Sequence, residues 1–413
     1  MQGNKIATTV KTIIAFGFCF LPSVQANTVS KGPQLGWNSW NAFKLKINAT
    51  ILKETADQLV ASGLRDAGYE YLVIDDGWQA NERDANGRQQ PNSTLFPDGI
   101  ARIADYVHSK GLKLGIYSDA GIYTCGFQPG SWGYEELDAA TYAEWGVDYL
   151  KYDNCGGFES GTHSPAERFS RMRNALLQSG RDIFYALCEW GYQFPWYWAD
   201  HVAQSYRMSG DIKPLFLDGP GDCACKTAYC LNTGYAGCSV LTIIRKMREI
   251  APFVQGGAAW ADMDGLEIGH LTLAQERTQL SFWAALKSPL MISTDLSSIS
   301  NETLTLLMNK RILAISQDAL GTAAQYIPSL GEEHSHQVWS GPLHGGSAVV
   351  LILNERNSTQ DIEVPFENVP NLREVEYEIE DAWSEDHVLL NSNSRRRFSV
   401  EAHDTKVLIF KPL

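Results

Sequence analysis

Short apolar runs that end in polar or aromatic residues recur along the first three-quarters of the chain. They read QLGWNSW, YEYLVIDDGW, KLGIYSDAG, VDYLKYDNC, IFYALCEWG, QSYRMSGDI, APFVQGGAAWADMD and SPLMISTDL. Most are separated by stretches with helical spacing of apolar positions, such as ILKETADQLVASGLRDAG, GIARIADYVHSKG and SPAERFSRMRNALLQSG. The last opens on Ser-Pro and closes on Ser-Gly, a start and stop pair. Trp37, Asp75, Tyr117, Asp153 and Glu189 mark the ends of the first five runs, at spacings of 38, 42, 36 and 36 residues. Each interval holds one strand, one helix and two loops. Eight such units predict a (β/α)8 TIM barrel over residues 27–318. An open doubly wound sheet is the alternative. It wants a glycine-rich phosphate loop after its first strand, where this chain has GWNSWNAF. After Asp318 the pattern changes to short strands without helices: HQVWSGPL, SAVVLILNE, EVEYEIEDAW and KVLIFKPL. Residues 319–413 therefore read as a C-terminal antiparallel β-sandwich domain, with packing against the barrel its expected role and weak sugar binding the alternative.

Barrel enzymes carry their chemistry at the C-terminal ends of the strands, which directs attention to VDYLKYDNCGG. Side chains two apart on a strand share a face, so Lys151, Asp153 and Cys155 point the same way. A carboxylate closing an apolar strand is costly unless it is paired or used. A structural ion pair is one reading; a reactive carboxylate kept ionised by Lys151 is the other. Arg207, four residues before Asp211, stands in a similar relation to that acid. Asp75, Asp76, Glu189 and Asp262 are further acids at strand ends, and spacing alone does not order them.

The first 26 residues form a separate unit. Lys5 and Lys11 precede the apolar stretch IIAFGFCFLPSV, and VQA supplies a small-residue cleavage site after Ala26. This is the pattern of a secretory signal peptide and is short for a membrane span. Four N-x-S/T sequons, at Asn48, Asn92, Asn301 and Asn357, fit a secreted, extracellular glycoprotein. The chain has eight cysteines, and loss of Cys19 with the leader leaves seven, an odd count for an oxidising compartment. A net formal charge of −14 argues against nucleic acid or an anionic membrane as partner. The basic run SRRRF at Ser394–Phe398 reads as a solvated strand or loop. No zinc-protease motif or P-loop occurs, so no cofactor is expected, and the histidines at His334 and His336 read as an exposed loop.

Taken in order, GWNSWN, VIDDGW, GIYSDAG, KYDNC, CEWG, SGDI and SPLMISTDL resemble glycoside hydrolase family 27, and within it the α-galactosidases (melibiases) of fungal and plant type. The resemblance runs from about Gly32 into the C-terminal domain. It implies a retaining mechanism with Asp153 as nucleophile and Asp211 as acid/base. It implies that Asp75 and Asp76 bind the 4- and 6-hydroxyls of galactose. Both adjacent acids reach one sugar only if the strand is ending there; otherwise one of them is structural. Trp37 is expected as a stacking wall, or else as barrel core. Lys151 is expected to donate to a ring hydroxyl, Tyr117 to line the pocket, and Arg207 to hold the 2-hydroxyl with Asp211.

Relatives that cleave α-N-acetylgalactosamine use small residues at CEWG. Cys188, Glu189 and Trp190 are larger and are expected to exclude the acetamido group. A Cys125–Cys155 bridge resembles the family pattern. Among Cys223, Cys225, Cys230 and Cys238, a 223–225 pair is disfavoured because one intervening residue strains the ring. Two pairings stay open, with zinc binding as an alternative, and Cys188 is the odd thiol. Where the family reads W-N-D-P-D-M-L, this chain has WADMDGL, so Gly265 replaces a methionine and Met263 is the candidate to fill its space. Expected substrates are melibiose, raffinose-type sugars and galactomannan side chains. An N-acetylgalactosaminidase and an inactive sugar-binding barrel are the alternatives. Nothing in the sequence sets the oligomeric state.

Overall fold

The computed structural model describes residues 32–156, 163–230, 237–373, 375–384, 386–391 and 394–413. The signal peptide assigned to residues 1–26 lies outside them. In chain order, the first region comprises strand β1 (Leu35–Asn38), helices α1 (Trp40–Phe43) and α2 (Ala49–Ala61), β2 (Tyr71–Val73), α3 (Gly99–Ser109) and β3 (Lys113–Asp119). It continues through α4 (Glu135–Glu144), β4 (Tyr149–Asp153), α5 (Pro165–Gln178), β5 (Phe184–Cys188) and β6 (Ser205–Arg207). It ends with α6 (Val240–Ile250), β7 (Trp260–Asp262), α7 (Leu273–Ala285), β8 (Leu290–Ile292), α8 (Asn301–Leu307) and α9 (Lys310–Ser316). The helices start where local chemistry favours it. Ser164 and Glu167 form a reciprocal capping box with Pro165 in the first turn of α5, and Thr272 with Gln275 does the same for α7.

The eight parallel strands pair in the order β7-β6-β5-β4-β3-β2-β1-β8. A parallel bridge between Leu266, just beyond β7, and Ile292 of β8 closes the ring. Between β5 and β6 there are two short 3-10 turns, Pro195–Tyr197 and Ala199–His201, in place of a full helix. Strand alternation sorts the side chains into two sets. Leu35, Trp37, Leu72, Ile74, Leu150, Tyr152, Tyr185 and Leu187 belong to the core between strands and helices. Tyr71, Val73, Tyr149, Phe184, Ala186 and Met291 fill the inside of the barrel. The second phase, continued to the strand ends, decides which residues can meet a ligand.

The C-terminal domain comprises β9 (Gln325–Tyr326), β10 (His336–Pro342), β11 (Ala348–Asn354), β12 (Gln360–Pro365), β13 (Glu376–Asp381), β14 (His387–Asn391), β15 (Arg395–Val400) and β16 (Thr405–Pro412). Six of these form one antiparallel sheet, β14-β13-β16-β11-β10-β9, with β12-β15 as a separate ribbon. β11 shows the layering. Ala348, Val350 and Ile352 face the ribbon's Ile362, Val364 and Val400 in one core. Val349, Leu351 and Leu353 join the core of the barrel helices. Trp339 meets Phe282 of α7 edge-on at 5.6 Å, and Arg277 pairs with Asp404 at 2.6 Å. The domain thus packs on the barrel as expected. The SRRRF run lies on β15, where Arg395 and Arg397 pair with Glu367 and Glu363 across the ribbon. Among the described residues no helix is long and apolar enough to cross a membrane.

Candidate active site

A cavity opens at the C-terminal mouth of the barrel, lined among others by Asn38, Trp40, Asp75, Asp76, Tyr117, Lys151, Asp153, Cys188, Trp190, Arg207, Asp211, Asp262 and Asp264. Most are inward-phase residues of successive strands or of the turns just past them. Tyr149, Ala186 and Met291, from the barrel interior, form its floor.

Asp153 ends β4. Its Oδ1 accepts the N–H of Asn154 at 2.9 Å and its Oδ2 accepts the hydroxyl of Tyr117 at 3.0 Å. Burial pushes its pKa up. The Lys151 ammonium opposes that and the charge of Asp211 adds to it. Lys151 thus acts in the expected direction, but burial outweighs it. The Nζ of Lys151 donates to Asp75 Oδ2 at 2.6 Å, and Asn38 Nδ2 donates to the same oxygen at 2.8 Å. The ion pair read from the sequence therefore exists, with Asp75 rather than Asp153 as its acid.

β2 stops at Val73, so Asp75 and Asp76 both lie on the turn past the strand and both reach the cavity. Asp76 accepts the N–H of Gly126 at 2.6 Å and that of Gly77 at 2.8 Å. Burial pushes its pKa up to about 6 against those hydrogen bonds. Asp119, beside Asp153 in the β3–β4 register, accepts the N–H groups of Cys155 and Gly156 at 2.7 and 3.1 Å and so fixes the turn after Asp153.

Arg207 closes β6, and Asp211 follows across a turn rather than along the same strand. Arg207 Nη2 donates to Asp211 Oδ1 at 2.9 Å, and Nη1 lies 3.6 Å from the Cys188 sulfur. The pKa of Asp211 is raised: burial is the largest cause, with Arg207 pulling down and Asp264 pushing up. Asp211 lines the cavity with 44% of its side chain still exposed.

Three expectations are corrected. Trp37 does not line the cavity. It sits in the outward phase of β1, fully buried, with Nε1 donating to the Thr294 carbonyl at 2.8 Å. The inward position of β1 is Asn38, and the indole at the cavity is Trp40, the first residue of α1. Glu189, between Cys188 and Trp190, points the other way. It is fully buried, and its carboxyl oxygens have no hydrogen-bond partner. Met263 also lies in the outer core and does not fill the space beside Gly265. A Cβ on Gly265 would stand 2.9 Å from Ser293 Cβ, so Ser293 occupies that wall.

Asp264 lies past the end of β7 with a left-handed backbone, so strand alternation does not reach it. Trp40 gave no strand signal either, because it opens the short helix α1. Cysteines pair 125–155, 223–238 and 225–230, which resolves the open pairing and excludes the zinc alternative; Cys188 is a buried free thiol. His334 is exposed as expected and pairs with Arg245, whereas His336 is half-buried at the start of β10 rather than on an exposed loop and pairs with Glu332.

A barrel whose mouth gathers carboxylates, a lysine, an arginine and indoles around one cavity has the layout of an active site and the paired acids that glycoside hydrolysis needs. Comparison with known proteins specifies which. Residues 32–318 match the family described as "Alpha galactosidase A", and residues 333–410 match "Alpha galactosidase C-terminal beta sandwich domain". Alpha-galactosidase 3 of Arabidopsis thaliana is 42% identical over 94% of this chain and 83% of its own length. An α-galactosidase of Schizosaccharomyces pombe is 37% identical over 96% and 94%. The crystal structure of α-galactosidase I from Mortierella vinacea superposes with a TM-score of 0.87 at 35% identity, covering 94% of this chain and 98% of that one. The chain belongs to glycoside hydrolase family 27 and is an α-galactosidase of that family.

Proposed function

We propose that this α-galactosidase works by retaining double displacement, with Asp153 as nucleophile and Asp211 as acid/base. The observation that carries this reading is that two acids with different surroundings line one cavity. Asp153 accepts two hydrogen bonds, from Asn154 N–H and the Tyr117 hydroxyl, which stabilise its ionised form. Asp211 keeps part of its side chain exposed, which leaves it access to the leaving group. In the first step Asp153 attacks the anomeric carbon, the bond to the leaving oxygen breaks with its electron pair, and Asp211 gives that oxygen its proton. In the second, Asp211 takes a proton from water, which displaces Asp153 and releases α-galactose. Asp75, Asp76 and Lys151 form a charged, mutually hydrogen-bonded edge for the sugar hydroxyls. Such contacts lower the barrier only where they strengthen in the transition state.

Cys188 and Trp190 fill the wall beside Arg207, where a 2-acetamido group would need room, and this favours galactosides over N-acetylgalactosaminides. A yeast α-galactosidase structure is described as holding raffinose. Raffinose-type oligosaccharides, melibiose and galactomannan side chains are the substrates we infer. Three disulfides support passage through an oxidising compartment, and secretion predicts a mature protein beginning at Asn27, which N-terminal sequencing checks. The mechanism is tested with Asp153→Asn. Turnover of an aryl α-galactoside falls by roughly 10⁴-fold or more, and proton NMR of the wild-type reaction shows α-galactose as the first-formed anomer. Unimpaired turnover in the variant, or β-galactose first, rules the assignment out.

A further inference from the structure

Arg207 Nη2 is shared. Besides Asp211 Oδ1 at 2.9 Å it reaches Asp264 Oδ2 at 2.8 Å and the Ser209 carbonyl at 3.2 Å. The same Asp264 oxygen accepts the backbone N–H of Ile212, the residue after Asp211, at 2.8 Å. Asp264 is itself held firmly. Its N–H donates to Asp262 Oδ1 at 2.8 Å, its carbonyl accepts from Trp283 Nε1 at 2.8 Å, and its Oδ1 accepts from Gly265 N–H at 2.7 Å. Its φ of +74° is in the left-handed region, which a non-glycine residue adopts at a cost and which Asp tolerates better than most. Neither the chain's pattern nor the mechanism above gives this carboxylate a task.

We propose that Asp264 is a positioning residue for Asp211: by sharing Arg207 Nη2 and holding the N–H of Ile212, it fixes the place of the acid/base carboxyl and limits how much guanidinium charge reaches it. The need follows from the chemistry. A general acid must carry its proton when substrate arrives, and a buried arginine 2.9 Å away favours the ionised carboxylate instead. A second carboxylate on the same nitrogen offsets that charge. The other groups facing Asp211 are Lys151 and Asp153 on β4 and Cys188 at the end of β5, and Asp262 adds its charge next to Arg207. Lys151 is already committed to Asp75, so Asp264 is the acid placed to balance Arg207. When Asp211 has given up its proton to the leaving oxygen, Arg207 remains beside it to stabilise the carboxylate that then serves as base.

This inference rests on Asp211 being the acid/base, and the test separates the two. kcat/KM is followed against pH for Asp264→Asn, Asp264→Ala and Asp211→Ala, with two substrates. 2,4-Dinitrophenyl α-galactoside has a leaving group that needs no proton; methyl α-galactoside has one that does. In Asp264→Asn the alkaline limb moves down by about one pH unit, and the methyl galactoside loses about tenfold more than the dinitrophenyl one. Asp264→Ala shows the same shift with a further loss on both substrates, because Ile212 N–H loses its acceptor. An unmoved limb with equal losses on both substrates in Asp264→Asn, while Asp211→Ala still discriminates between them, overturns the role of Asp264 alone. If Asp211→Ala fails to discriminate, the acid/base assignment falls and this inference with it.

Discussion

Glu189 carries a carboxyl buried without a hydrogen-bond partner, beside a cavity full of carboxyls that all have one or more. Burial holds its pKa well above the ordinary range and so favours the neutral form, and the charge of Arg207 only partly opposes this. A neutral group facing the outer core is replaceable by a neutral amide of nearly the same shape. Glu189→Gln therefore changes unfolding stability by less than about 1 kcal/mol and kcat/KM by less than about twofold. Differential scanning fluorimetry and a galactoside assay check this, and a tenfold loss in kcat/KM would place the carboxyl in the cavity after all. The same reasoning explains which residues were legible from the sequence. Tyr117, Lys151, Asp153, Cys188 and Arg207 share the inward phase of their strands, and period two locates them; Asp75 lies just past β2 and was reached through the VIDDGW motif. Trp37 and Glu189 were chosen for chemistry at the right strand ends but in the wrong phase. Trp40 opens α1, and Asp211 and Asp264 lie past the ends of their strands, where the strand period does not operate; only Asp211 was reached, through the SGDI motif.

At the scale of elements, the eight strand runs and the capped α5 were readable because each unit repeats one hydrophobic logic. The 3-10 turns between β5 and β6 were not, since an aromatic-rich connector has no helical period to break. The loop after β3 shows how an element serves the site. Cys125 joins it to Cys155, just past β4, and Gly126 N–H holds Asp76. The bridge therefore does two things: it closes a chain segment spanning 30 residues and it keeps the Gly126 loop against Asp76. Replacing both cysteines by serine costs about 3–4 kcal/mol by the loop-entropy argument. It also raises KM for galactosides, because the Gly126 loop no longer registers with Asp76. Unfolding midpoints and Michaelis parameters of the double variant test these separately. A stability loss with unchanged KM would show the loop to be held by other contacts.

Across the whole molecule, the cavity leaves its mark on how stability depends on pH. Burial pushes Asp76 and Asp262 up to about 6, each against opposing hydrogen bonds or the charge of Arg207, and pushes Glu267, which lies behind the cavity wall on Asn41, up to about 7. These acids bind protons more tightly folded than unfolded, where the ordinary value is about 4. Their contribution to stability is thus full below about pH 4 and is lost as pH rises through 6 to 7. Asp222 and Glu380 behave oppositely. There burial is outweighed by hydrogen bonds, from Lys226 to Asp222 and from Lys411 and Arg311 to Glu380, so their pKa values are lowered. Their contribution is present above about pH 4 and is lost as pH falls through their lowered values. The two sets bracket an acidic optimum. Thermal unfolding midpoints measured from pH 3 to 8 are expected to peak at about pH 4–6 and to decline towards pH 8. Asp262→Asn, which removes one raised acid, flattens that decline; a midpoint still rising between pH 6 and 8 in the wild type would mean that the cavity acids are ionised at little cost, and that the charges of Lys151 and Arg207 outweigh the burial around them.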